Sequence, residues 1–448
     1  MTALYYTIGV LVFAFAIMAS IGLHEFGHLI PAKKFGGKVT QWFVGFGPTV
    51  WSKQIGETEY GIKAIPLGGY VKIVGMLPPG KGDVAGEPGD DLRVRKSNTG
   101  MFTQLVSDAR AAEWEHIGPE DRDRLFYKRT WWQKVVVMAG GPMVNIAIAF
   151  FLFWGVFATV GQVVGAEAEP VVAEVVPCIV PVDEDGRVCT AEELRDNPSP
   201  AAAAGLQPGD RFVSFNGEPV TSWEQIQEDI RANDDSLATI VVERDGEEVV
   251  VEATTSVQPR PLDADSEELT EVGFLGVLPE VTLISETGGP IYTAQQMGTM
   301  TVEVVKSLAE LPVKVYGVAR AIVGLEERDP NGPVSVVGGG RLAGEVAAHE
   351  TFPLKDKVTS LLMLIAGFNL FIGLFNFIPL LPLDGGHIAG ALYEGLRRGW
   401  ARVRGLPDPG YVDVARLLPI AYVMGLALLV MGVVLIIGDI VVPLHLTS

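Results

Sequence analysis

Four long apolar runs, separated by stretches dense in charge, constrain this chain most: Tyr5 to Pro31, Val135 to Val160, Thr359 to Pro382 and Ile420 to Val442. Each is near or above the ~20 residues that an α-helix needs to cross a bilayer. Only helices and closed barrels satisfy their backbone hydrogen bonds in hydrocarbon, so the expected class is a polytopic α-helical membrane protein of about four transmembrane helices. An even count puts both termini on one side. At 448 residues the chain also has room for at least one soluble domain.

Basic residues orient the bundle, because Lys and Arg in short segments beside a span stay cytoplasmic. The segment after the first run opens with Lys33, Lys34 and Lys38 and closes with Arg122, Arg124, Lys128, Arg129 and Lys134. The segment between the third and fourth runs carries Arg397, Arg398, Arg402 and Arg404. Both are expected in the cytoplasm, which leaves the acidic stretch from Gly161 to Lys355 and both termini outside. Most of the net charge of −20 lies in that stretch, so the acidity describes a solvated external domain and argues against nucleic-acid binding. A cleaved signal peptide is not expected: the first twenty residues hold no Lys or Arg, and cleavage would fall just before the next motif.

That motif is His24-Glu25-Phe26-Gly27-His28, an H-E-x-x-H at the end of the first apolar run. On a helix the two histidines leave one face a turn apart, and Glu25 can hold a water on a metal bound between them. Ionisable groups at membrane depth are costly unless paired or lining a wet cavity, so such a cluster is a functional candidate.

The third run ends in Asn376-Phe377-Ile378-Pro379-Leu380-Leu381-Pro382-Leu383-Asp384-Gly385-Gly386-His387. Two prolines followed by two glycines cannot continue a regular helix, and unwound backbone at this depth must line a cavity or be buried in protein. Asp384 then lies near the same end of the bundle as His24 and His28. Two imidazoles, a carboxylate and a water would complete the open site of a catalytic zinc. Taken alone, Asp384 also reads as a turn residue.

Together these two motifs resemble the site-2 proteases, the zinc intramembrane proteases of regulated intramembrane proteolysis. Gly45-Phe46-Gly47-Pro48 resembles the Gly-x-Gly of the family's membrane-associated β-loop, and Ile65 to Lys72 the strand that follows it. Ala139 to Asn145 resembles the start of its second span. Ala204-Gly205-Leu206-Gln207-Pro208-Gly209-Asp210 resembles a PDZ sequence, which points to the branch carrying an external PDZ domain. Its residues also read physically: a strand Arg211 to Phe215, a turn at Asn216-Gly217, a helix capped by Thr221-Ser222, then a hairpin turning at Asp245-Gly246. Another small β-rich domain is the alternative. Cys178 and Cys189 fall in this external part, where a disulfide is permitted.

The organisation expected is transmembrane helix 1 at 1–34, a membrane-associated β-hairpin loop at 35–76, a cytoplasmic insert at 77–133 and transmembrane helix 2 at 134–162. The PDZ-like α+β domain follows at 165–258, with an external linker and amphipathic helix at 259–356. Transmembrane helix 3 is expected at 357–390, a cytoplasmic loop at 391–417 and transmembrane helix 4 at 418–444. The insert is Gly/Pro/Asp-rich at its start and reads as a mobile loop with a short helix later; no role follows from its residues.

The resemblance implies that His24, His28 and Asp384 bind Zn2+ and that Glu25 is the general base. It gives Asn376, Gly45, Gly47 and Pro379 substrate-facing roles. Asn376 would hold the substrate backbone or the developing oxyanion, or else pack between helices. An extended substrate could add to an edge strand of the 45–71 loop. Substrates would be single-span membrane proteins, such as anti-sigma factors trimmed by a prior protease. The PDZ-like domain would restrain access or bind the newly made carboxyl terminus. Membrane lipid is the other partner expected, and the plasma membrane the expected location, with the active site near the cytoplasmic side. Two other classes fit parts of the sequence: an inactive PDZ-bearing scaffold, which has no need of Glu25, and a metal-ion transporter, against which no inverted repeat is seen.

Overall fold

A computed structural model of the protein describes residues 2–79, 101–114, 117–180, 189–261 and 269–445. Residues 80–100, where the mobile part of the insert is expected, lie outside the described residues. The chain forms two compact units: Met1–Val160 with Gly288–Ser448, and Gly161–Thr287 inserted between them in sequence.

The first unit is built on helices α1 (Thr2–Lys34), α2 (Met101–Trp114) and α3 (Trp131–Thr159), with strands β1 (Val39–Ile55) and β2 (Thr58–Ile73) between α1 and α2. Among the described residues, four helical segments are long and apolar enough to cross a membrane: α1, α3, the later Leu354–Asn376 and Val414–Val441. The protein is a membrane protein with a β-rich part. On α3 the buried positions Gly141, Asn145, Ala149, Phe153 and Val156 recur every three or four residues and form one stripe. Glycines let the helices approach closely: a Cβ at Gly27 would lie 2.3 Å from Gly140 O, and one at Gly140 would lie 2.0 Å from Gly27 O. In the absence of a hydrophobic drive between helices in lipid, close packing at small residues holds such a crossing.

Strands β1 and β2 pair antiparallel with repeated register breaks. Residues 41–44 face 59–62 on one side and 69–72 on the other, while 49–55 pair with 58–63. Each strand therefore doubles back, giving four short runs in the spatial order 49–55, 58–63, 41–44, 69–72. Gly45, Gly47 and Gly68, at φ of +90°, +84° and +95°, supply the backbone conformation these reversals need. Among the described residues, no strand pairs with the outer side of 69–72.

Helix α2 fastens the end of that edge run. Glu113 accepts hydrogen bonds from the backbone N–H of Gly75 and Met76, and Arg110 forks onto Asp413 at 2.6 and 2.7 Å. Tyr127 packs against Tyr411, and burial together with this neighbour pushes its phenol up to about 12. Arg124 grips Glu57 at the β1–β2 turn and holds its carboxyl below the usual range.

The inserted unit holds β3 (Gln162–Val175), two short helices α4 (Glu193–Asp196) and α5 (Pro200–Ala204), β4 (Arg211–Phe215), β5 (Glu218–Pro219), α6 (Trp223–Ala232), β6 (Leu237–Arg244), β7 (Glu247–Thr254), β8 (Ser256–Pro261), β9 (Leu269–Phe274) and β10 (Val277–Glu286). Its main sheet runs β10-β3-β4-β6-β7, and β8 pairs with β9 separately. Ala238, Ile240 and Val242 of β6 are fully buried and pack with Phe212, Phe215, Ile226 and Ile230, so one face of the sheet carries α6. The β6–β7 turn sits at Asp245 (φ 53°) and Gly246 (φ 84°). Ser222 caps α6 by accepting from Gln225 N. Cys178 and Cys189 form a disulfide.

After the insertion come α7 (Pro290–Ile322), α8 (Val336–Ala348), α9 (Leu354–Asn376), α10 (Asp384–Val403) and α11 (Leu418–Val441). Two expected boundaries need correction. The external linker of 259–356 does not begin at 259, because β9 and β10 belong to the inserted unit, which runs to Thr287. β10 pairs with β3, a partner more than a hundred residues earlier, and such a pairing leaves no local signal. Transmembrane helix 3 at 357–390 and the loop at 391–417 divide differently: the chain breaks at 377–383 and is helical again over Asp384–Val403. Gly385 and Gly386 act here as contact residues, since a Cβ on either would lie within 2.6 Å of backbone at 377–381.

A buried ion pair ties α10 to α3. Lys134 Nζ lies 2.7 Å from Glu394 Oε2, which also accepts from Val412 N, and both side chains are less than a tenth exposed. Removing one partner of a buried pair costs up to about 3–5 kcal/mol, and here Arg398, 3.4 Å from Glu394 Oε1, keeps part of the compensation. Lys134→Met is expected to destabilise the protein in detergent unfolding by less than that full amount, and Lys134→Met/Glu394→Leu to recover only part of the loss, since Arg398 and Val412 N then lose their partner.

Candidate metal centre

His24 and His28 project from the same side of α1, and their rings meet edge to face with centroids 4.9 Å apart. They and Glu25 are 9%, 4% and 8% exposed, so the motif sits inside protein. Opposite it lies Gly141 of α3, where a Cβ would come 2.3 Å from His28 Nε2 and 2.7 Å from His24 Nε2. The Gly27–Gly140 crossing thus brings α3 so close that only a residue without a side chain fits facing the imidazoles.

The break after α9 delivers the third group. Asp384 is the first residue of α10, where the positive end of the helix dipole favours a carboxylate. Its Oδ2 lies 3.3 Å from His24 Nε2 and 3.4 Å from His28 Nε2, and the two Nε2 atoms are 3.2 Å apart. The ligand-capable atoms of these three residues all lie within 4.8 Å of one another. A tetrahedral zinc with bonds of about 2.0–2.1 Å separates its ligand atoms by about 3.3 Å, so the triangle has the size of one zinc face.

The hydrogen bonds behind the rings fit the same group. His28 Nδ1 lies 2.8 Å from the backbone carbonyl of Val137, and His24 Nδ1 lies 2.8 Å from Asn145 Oδ1. A carbonyl oxygen only accepts, so each neutral ring carries its hydrogen on Nδ1 and turns a lone pair inward from Nε2. Two lone pairs and a carboxylate oxygen then face one another with no hydrogen between them. A cation satisfies that arrangement, and neutral imidazole plus carboxylate is a donor set that suits Zn2+.

A cavity of about 500 Å3 opens beside this triangle. Glu25 lines it, and so does Asn376, whose amide donates to Ile372 O of its own helix. Gly68 to Val71 line it as well, so the open edge of β2 runs along the wall beside the triangle. Gly45, Gly47 and Pro379 are not among the lining residues; Gly45 and Gly47 lie in the doubled part of the hairpin, and Pro379 in the break that positions Asp384. Several residues with no role in the sequence reading belong here: Asn145 behind His24, Gly141 facing the rings, and His387 lining the cavity from α10. The run Ala139 to Asn145 contains two of them, but nothing in its composition tells a packing glycine from one that clears space for a ligand.

The family model described as Peptidase family M50 matches residues 12–405. The chain belongs to peptidase family M50. This M50 chain is 34% identical to the zinc metalloprotease Rip1 of Mycobacterium tuberculosis, the match covering 98% of each chain. It is 33% identical to zinc metalloprotease Rip1 of Mycolicibacterium smegmatis over 93% of each chain, and 30% identical to a putative zinc metalloprotease of Mesorhizobium japonicum over 84% of this chain and 86% of that one. The expectation of a site-2 protease stands: the M50 protein is an intramembrane zinc metalloprotease, and its cofactor is Zn2+. The site-2 resemblance and the family match thus agree with the donor set.

Gly141→Ala tests the fit of the pocket. Its methyl group would enter the space the two Nε2 atoms face, so the purified variant is expected to lose bound zinc and proteolysis together. Gly155→Ala, on the same helix with open space around its Cβ, is expected to keep both.

Proposed function

We propose that His24, His28 and Asp384 hold the zinc of this protease, that Glu25 is its general base, and that the protein cleaves single-span membrane proteins within or near their transmembrane segments. The observation that carries the reading is the triangle of 3.2, 3.3 and 3.4 Å among two inward lone pairs and one carboxylate oxygen, with Glu25 in the adjoining cavity. Bound zinc would lower the pKa of a water toward ~7 and polarise the scissile carbonyl. Glu25 takes the proton of the attacking water and returns it to the leaving amine. Asn376 faces the cavity and serves the substrate backbone or the developing oxyanion.

A transmembrane helix keeps its carbonyls in its own hydrogen bonds, so a substrate must unwind before it can be cut. The unpaired edge at 69–72, on the cavity wall, supports addition of the extended substrate as a further strand, which replaces the bonds lost on unwinding. Exposed Val50, Trp51 and Ile55 on the other edge of the same sheet support contact with lipid. The basic residues flanking the first and third spans favour a multi-pass plasma-membrane protein with this site near the cytoplasmic side. The inserted unit is read as an extracytoplasmic PDZ-like domain, supported by a groove of about 290 Å3 between α6 and the β9–β10 segment. It restrains access or binds trimmed ends. Anti-sigma factors already cut by a prior protease are the substrate type this arrangement suits.

The test is cleavage of a single-span substrate in liposomes. Glu25→Gln is expected to lower the rate by about 10²–10⁴-fold with zinc retained. Asp384→Ala is expected to lose both activity and tightly bound zinc. Unchanged cleavage in Glu25→Gln contradicts the assignment. Helix-breaking Gly or Pro placed beside the scissile bond is expected to speed cleavage, whereas a substrate cut equally fast with or without them argues against unwinding as a step.

A further inference from the structure

A buried chain of amides runs from His24 across three helices. His24 Nδ1 lies 2.8 Å from Asn145 Oδ1 on α3, Asn145 Nδ2 donates to Asn369 Oδ1 on α9 at 3.3 Å, and Asn369 Nδ2 donates to Ile365 O at 2.9 Å. Both asparagines are 0% exposed. Their direction is decided at the far end. Ile365 O, a backbone carbonyl, can only accept, so Asn369 must turn its NH2 toward it and its oxygen toward Asn145. Asn145 must then turn its NH2 toward Asn369 and its oxygen toward His24.

That direction has a chemical consequence. With an oxygen facing Nδ1, the hydrogen of neutral His24 sits on Nδ1 and Nε2 keeps its lone pair. With the Asn145 amide turned over, Nδ1 would have to accept, and the hydrogen would move to Nε2, where it would point at Asp384 and at the ligand position. His28 needs no such chain, because its Nδ1 bonds directly to Val137 O. We infer that Asn145 and Asn369 are positioning residues that set the tautomer of His24, so that α9 controls the metal affinity of a ligand on α1 that it does not itself bind. The inference rests on His24 being a zinc ligand.

Zinc affinity of the purified full-length protein in detergent, measured by chelator competition, tests both steps. Loss of a partner behind a ligating histidine commonly weakens metal binding 10–100-fold, and Asn145→Leu and Asn369→Leu are each expected to fall in that range. Asn145→Asp presents an acceptor whichever oxygen faces His24, so it is expected to keep zinc. In that background the polarity no longer needs setting, and adding Asn369→Leu is expected to cost no further affinity. A purely structural Asn369 would weaken zinc equally in both backgrounds, which overturns the inference. Should Asn145→Leu fail to fold, the Asn145→Asp pair still decides. His24→Ala separates the two levels: zinc lost there but kept in Asn145→Leu overturns the relay alone, and zinc held by His24→Ala as tightly as by the wild type removes the ligand assignment and the relay with it.

Discussion

Three electron-pair donors are held face to face inside an apolar helical bundle, and the rest of the first unit is organised around making that tolerable. A buried carboxylate beside two imidazole lone pairs is repulsive and desolvated at several kcal/mol unless a cation sits among them. The bundle cannot relax away from it, because Gly27 and Gly140 lock α1 against α3 at backbone contact and Gly141 leaves the space facing the rings open. The break at 377–383 then swings Asp384 in at the N-terminus of α10, where the backbone itself favours its charge. On the proposed reading, a zinc ion among the three donors would satisfy this core.

A protease in a bilayer meets a second constraint, for which the proposed reading gives the sheet a role. Peptide bonds of a helical substrate are inaccessible, and unwinding them in hydrocarbon leaves unsatisfied N–H and C=O groups. On the proposed reading, the open strand edge beside the His24–His28–Asp384 cluster would supply partners for those groups where they are needed. The doubled-back hairpin turns its last run toward the cavity, and α2 grips the residues directly after it through Glu113. The insert that carried no readable role in sequence therefore contributes one of the elements that fix the edge in place.

Much of this was legible in the residues. Four apolar runs marked the helices long and apolar enough to cross a membrane, H-E-x-x-H marked the face of α1 proposed to hold the metal, and the prolines at 379 and 382 announced the break that brings Asp384 back to it. These are local signals of composition, period and backbone chemistry. What stayed hidden is nonlocal. Asn145 and Asn369 lie mid-run in apolar helices, where a polar residue has many uses, and only the fold reveals that they touch each other and His24. The glycines at 385 and 386 read as helix breakers but serve as contact points within a helix. The strand at 277–286 found its partner at the opposite end of the inserted unit, beyond the reach of any local pattern.

X-ray absorption at the zinc edge of the purified wild-type protein reads the proposed ligand set of His24, His28 and Asp384 without mutation. One zinc per chain is expected, in a shell of nitrogen and oxygen at about 2.0–2.1 Å, with multiple scattering from two imidazoles and no sulfur at about 2.3 Å. Substoichiometric zinc, a sulfur shell, or scattering from a number of imidazoles other than two would contradict it.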